Sequence, residues 1–285
     1  MNITGVVLAL AAAFFAFSWR ITVRTKLKPS KNDMAFTALV DFFAALTAAA
    51  FIPIFGLKLP ANVNLVGIFL VSVVFSAVGD FLILYATKNA DTADSSILMP
   101  LSNIWVLLLA AVFLHEPLSV FKILGVMMIV LGSIITLSRG KGLVINKGIV
   151  AAFIYGWLIT GTILIDKGIS NNFSLPVYSA VFYFLSSFVL TLLTGGQPIK
   201  KIVTEFKINK FWSAAVGAQW ALFSLTLLFA YSQAEASRVI PIMRVFIVMV
   251  TLYSVFILKE RERMWQKIAG SLIVTGGALV LAYLK

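Results

Sequence analysis

Long apolar runs separated by short polar connections make up most of the chain. A transmembrane helix needs roughly 17–25 mainly apolar residues. Ten runs meet that length, at about 3–19, 34–54, 64–86, 94–114, 118–138, 148–166, 176–194, 211–231, 236–258 and 264–284. The connections between them are too short for a water-soluble domain. A membrane β-barrel would show roughly ten-residue alternating strands, and these runs are longer and evenly apolar. The pattern predicts an all-α integral membrane protein with ten transmembrane helices.

The ten runs fall into two similar sets of five. Gly5-Val-Val matches Gly148-Ile-Val, and the segment from Phe36 matches the segment from Tyr178. Tyr85 matches Tyr231, Glu116 matches Glu260, and Gly125 and Gly132 match Gly270 and Gly277. The offset stays between 142 and 146 throughout. The division predicted is residues 1–142 for the first five-helix repeat and 143–285 for the second. An odd number of spans per unit inverts the second unit relative to the first, as in many secondary transporters.

Composition agrees with a membrane protein. Hydrophobic residues make up 61% of the 285 residues and charged residues 12%, against about 45–50% and about 25% in soluble domains. Mean hydropathy is +1.01. No cysteine is present, which excludes disulfides, thiol catalysis and thiolate metal sites. The single histidine, His115, excludes a multi-histidine metal site within one chain.

The net charge of +12 is explained by its placement. Seventeen of the 23 lysines and arginines fall on the face holding connections 1–2, 3–4, 5–6, 7–8 and 9–10. The positive-inside rule makes that face cytoplasmic and puts both termini outside. Met1 to Trp19 carries no positive charge ahead of its apolar run, so a non-cleaved first span is expected rather than a signal peptide. The charge therefore points to anionic lipid contact and not to nucleic acid. The predicted location is the cell membrane, with multiple passes.

Two segments carry a family resemblance. Leu114-His115-Glu116-Pro117-Leu118 precedes Gly125 and Gly132, and Leu258-Lys259-Glu260-Arg261 precedes Gly270 and Gly277. This duplicated arrangement resembles the ten-helix EamA-type transporters of the drug/metabolite transporter superfamily. The first spacing is nine residues and the second is ten, so Glu260 and Glu262 exchange the equivalent role. The resemblance implies alternating-access transport of small metabolites, often export of amino acids or related compounds. It also implies cytosolic termini, against the charge count, and the count is kept here.

Candidate chemistry lies at polar positions inside the apolar runs. A charge at a helix centre costs at least roughly 2.5–3.5 kcal/mol on insertion scales and is a functional candidate by default. Asp80 ends a stripe Ser72–Ser76–Asp80 at helical spacing. Asp41 lies at a similar depth, so Asp80 and Asp41 are candidates for proton or sodium coupling. Arg244 reads as the single cation within a span core and suits bidentate capture of a carboxylate. Pro100 and Pro241 stand at matching positions of spans 4 and 9 and interrupt helix hydrogen bonding near a site. Asn103 and Gln219 are expected to orient a substrate, with Trp157 as an aromatic wall. Glu116 and Glu260 or Glu262 read mainly as helix caps.

The sequence thus predicts a secondary transporter for a small metabolite, an amino acid or related compound. Arg244, Asn103, Gln219, Trp157 and Asp80 bind it, and the resemblance implies a site between spans 3, 4, 8 and 9 with spans 1, 2, 6 and 7 completing the walls. Alternatives are an uncoupled facilitator or exchanger, a lipid-linked flippase, and a membrane lipid-modifying enzyme. No nucleotide-binding, nucleophile-elbow or metalloprotease motif appears in the chain, so no cofactor is expected. Ten helices can enclose a monomeric pathway.

Overall fold

The computed structural model describes residues 3–60, 62–89, 102–113, 115, 118–137, 147–259 and 263–283. Among the described residues the secondary structure is helical, with no strand. The first half contains α1 (Ile3–Lys26), α2 (Asp33–Ala49), the short α3 (Ile52–Phe55), α4 (Val63–Asn89), α5 (Ser102–Phe113) and α6 (Val120–Leu137). The second contains α7 (Lys147–Ile169), a 3-10 turn (Ser170–Asn172), α8 (Leu175–Leu193), α9 (Pro198–Asn209), α10 (Phe211–Gln233), α11 (Ala236–Met243), α12 (Phe246–Phe256) and α13 (Met264–Tyr283). Among the described residues six helices are long and apolar enough to cross a membrane: α1, α2 (continuing through α3), α4, α7, α8 and α10. Shorter apolar helices lie in α6 and α12. The chain is an all-α membrane protein.

Two expected boundaries shift. The first span runs on to Lys26 instead of ending at Trp19, so Arg20 is buried within α1. Arg244 is therefore not the only cation inside a span. The ninth span is two helices, because the chain turns at Arg244 and Val245 between α11 and α12. Pro241 lies in α11 one turn earlier and has no N–H to donate. Beyond it the hydrogen bonds tighten to three-residue spacing, Val245 to Ile242 at 3.0 Å and Ile247 to Arg244 at 2.9 Å. Pro100, Glu116, Glu260 and Glu262 lie outside the described residues.

The strongest packing joins the halves. Helix α6 packs on α13, α4 on α7, α2 on α8 and α1 on α10. At the α6–α13 crossing the four repeated glycines meet in pairs. A Cβ at Gly132 would stand 2.5 Å from the Gly270 carbonyl oxygen. A Cβ at Gly277 would stand 2.6 Å from that of Gly125. Only glycine lets these backbones approach so closely.

Polar contacts tie the connections on each face. On the basic face Glu205 of α9 accepts from the backbone N–H groups of Lys31 and Asn32, both at 2.8 Å. Asn32 also caps α2, accepting from the Ala35 N–H at 2.9 Å. On the opposite face Ser174 donates to the Gly56 carbonyl, and Lys122 pairs with Glu235 at 2.8 Å. Burial pushes the Glu235 carboxyl up, but Lys122 and Arg238 beside it outweigh burial and hold it below the usual carboxylate range.

Candidate functional site: a charged cavity between six spans

The central cavity takes its walls from α1, α4, α7, α8, α10 and the α11–α12 break. It encloses about 870 Å³ between its lining atoms, including space open to the surroundings. None of the described residues of α5 lines it, whereas α1, α7 and α8 complete its walls.

Four ionisable residues of opposite sign share this cavity. Arg20 comes from α1, Arg244 from the α11–α12 turn, Asp80 from α4 and Asp166 from α7. Arg20 and Arg244 are 2% and 3% exposed. Removing such groups from water is costly unless partners compensate. The Arg20 guanidinium stands 5.2 Å from the centre of the Phe246 ring, within range of a cation–π contact. The break in the ninth span brings Phe246 and Arg244 to the same wall.

The carboxylates are held by hydroxyls. Ser76 donates to Asp80 at 3.1 Å. Ser72 donates to Asp166 at 3.2 Å, and the Tyr178 hydroxyl also donates to Asp166. The serine stripe on α4 therefore serves two carboxylates, one on its own helix and one on α7. Asp41 lies behind the main cavity. It lines a smaller cavity with Asp80, Trp19 and Trp220 and accepts from Ser186 at 2.6 Å. The rings of Trp19 and Trp220 are 4.9 Å apart between the two spaces.

The other expected site residues occupy different positions. Gln219 is not in the cavity lining. Its amide donates to Ser18 at 2.9 Å and Thr22 at 3.1 Å, clamping α10 to α1 on either side of Arg20. Trp157 is 44% exposed and lies outside the lining, with its ring 4.2 Å from that of Trp105. Asn103 lies in α5, and its side chain is outside the described residues.

Sequence reasoning missed Arg20 and Asp166. Arg20 was grouped with the basic connection because it follows the apolar run. A signal was present, since Ala9, Ala12, Ala13, Ala16, Trp19 and Val23 share a buried stripe beside it. Asp166 was read as the end of span 6, yet Ile159, Thr162 and Asp166 continue one face at helical spacing.

Known proteins supply the family. A solved crystal structure, described only as that of a protein, aligns over 98% of this chain and 96% of its own, with a TM-score of 0.65 and 14% identity. This is a likeness of fold. No curated protein matches the chain. Residues 3–138 match the EamA-like transporter family. That match covers the first five-span half of the chain, and members of the family are membrane transporters of small molecules.

Proposed function

We propose that this chain is a secondary transporter that moves an amino acid or related small metabolite by alternating access, coupled to a proton. The observation that carries the reading is the set of four charged groups around one cavity, Arg20, Arg244 and Asp80 buried and Asp166 half-buried. A zwitterion matches such walls. Its carboxylate is received by Arg20 and Arg244, whose planar guanidinium groups suit bidentate binding. Asp80 exchanges the coupling proton, with Asp41 behind it. Ser179 adds a hydroxyl that is 1% exposed and has no hydrogen-bond partner among the described residues, a further group for a bound polar solute. Gln219 acts as a positioning residue, fixing the stretch of α1 that carries Arg20.

The helix arrangement supports alternating access between two inverted repeats, residues 1–142 and 143–285. Exchanging the halves converts the α4–α7 pair into α1–α10 and maps α2–α8 and α6–α13 onto themselves. The ninth span is interrupted at Arg244, and discontinuous helices commonly frame transporter sites. In this reading the basic face is cytoplasmic.

Flux in proteoliposomes with an imposed pH gradient tests the function, using pooled radiolabelled amino acids. Gradient-dependent accumulation of one of them is expected. Movement that ignores the gradient would favour an uncoupled facilitator and remove Asp80 from a coupling role. No movement by folded protein would count against amino acids as the substrate class.

A further inference from the structure

We propose that Asp166, Asp80 and Asp41 form a proton path along α4, with Asp166 as the proton-exchanging group nearest the face opposite the basic one. The proposal rests on the proton-coupled reading above and extends it from one carboxyl to a series.

Placement along the helices orders the three groups. Asp166 lies three residues before the end of α7. The turn that follows meets connection 2–3, where Lys58 donates to the Asn171 carbonyl, so this end of α7 is the non-basic end. Asp41 lies eight residues into α2, which follows the basic segment Arg24 to Lys31. Asp80 lies nine residues before the end of α4, at about the depth of Asp41, and Ser72 on the same helix reaches back toward Asp166. From Ser72 to Asp80 the helix rises by about 12 Å, at 1.5 Å per residue.

Hydroxyls connect the series. Ser72 holds Asp166 and Ser76 holds Asp80, and the two serines stand one turn apart on one face of α4. A serine hydroxyl both donates and accepts, so the pair can bridge successive carboxyls. Asp41 and Asp80 then share the smaller cavity. Ser186 occupies one oxygen of Asp41. The other, Oδ1, is buried and has no hydrogen-bond partner among the described residues, a position suited to an exchangeable proton. The step is a proton transfer alone: as one carboxyl gives up its proton to become a carboxylate, the next takes it. No other bond changes. The charged and titratable groups facing the path across the main cavity are Arg20, Arg244, Tyr155, Tyr178, Tyr183 and Tyr231.

Infrared pH-difference spectra of the full chain in lipid, with no solute added, test the path. Carboxyls that interact by more than about one pK unit titrate as a linked set. Asp166→Asn is expected to remove one protonated-carboxyl component and to move the midpoint of the remainder by about one pH unit. Asp80→Asn should move the Asp166 component by a similar amount. A midpoint of Asp166 that ignores Asp80→Asn would overturn the path. Should Asp166→Asn fail to fold, Ser72→Ala provides the same reading, since it should shift the Asp166 component without removing it, and an unmoved component would again overturn the proposal. Failure of the two readings is separable. Linked titration in a protein that accumulates no amino acid keeps the path and removes the transport reading. Gradient-driven accumulation with unlinked carboxyls does the reverse.

Discussion

The α6–α13 crossing and the central cavity both join the two halves, with opposite materials. The crossing relies on glycine. Gly132 and Gly277 each place the partner's backbone where a Cβ would stand, and close packing supplies the adhesion. The cavity brings six spans together around charges and hydroxyls that would be cheaper in water. The first region is specialised for fit and tolerates no added atom. The second holds costly groups, which is expected where a solute or proton must bind. One bundle can therefore keep a rigid seam beside a polar centre that changes its contacts.

Substitutions at the seam should produce the largest structural effects. Gly277→Ala places a methyl group 2.6 Å from a carbonyl oxygen, and neither backbone can yield cheaply. A loss of about 1–3 kcal/mol is expected, the usual cost of overpacking, read as a lower melting temperature in detergent. Gly132→Leu should be worse, with little folded protein recovered. Normal melting of Gly277→Ala would break the contrast between seam and cavity.

Cavity substitutions should do the reverse. Arg244→Gln and Arg20→Gln are expected to weaken substrate affinity about tenfold or more, the scale of one charge-assisted hydrogen bond, while melting changes little. Equilibrium binding measured beside melting separates the two effects. Unchanged affinity in both variants would remove the arginines from the site. Asp80→Asn should leave binding and downhill exchange in place and abolish accumulation driven by a pH gradient. Full accumulation by that variant would end the coupling role.

The smallest effect is expected at the Lys122–Glu235 tie. Lys122 is 2% and Glu235 35% exposed; water at the carboxylate screens the pair and Glu235→Gln keeps an acceptor oxygen for Lys122, so a loss of about 1 kcal/mol is expected. Its carboxyl is held below the ordinary range by Lys122 and Arg238. The stability it adds is therefore fully present above the unfolded carboxylate value, near pH ~4.3, and is lost as pH falls through the lower folded value. Wild type and Glu235→Gln should differ in melting temperature at neutral pH and converge in acid. A constant difference across that range would show that the tie does not titrate.

The two regions differed in how much the sequence revealed. The glycines of the seam stood out as repeated pairs at a constant offset, and the structure places them against one another. Repetition marks packing because the same helix crossing must be built from both halves. The cavity chemistry is not repeated in that way. Asp80 and Arg244 were visible because a charge inside an apolar run is conspicuous. Arg20 and Asp166 were not, because each sits where an apolar run fades and its helix continues. Gln219 and Trp157 were visible as polar and aromatic residues, but their type does not specify direction. One clamps α1 and the other meets Trp105 outside the lining.

The sequence by itself determined that this is a helical membrane protein. Bilayer burial demands long apolar runs, and backbone groups in lipid must be satisfied within helices or closed barrels. It also determined the basic face and the paired glycines, since these are properties of residue type and spacing. Tertiary structure decided which polar residues meet. The cavity joins residues from Ala16 to Phe246 across seven helices, and no local pattern encodes the rotation of one helix against another. The same packing decided that the ninth span turns at Arg244, where the break leaves the guanidinium and the Phe246 ring facing Arg20 across one space.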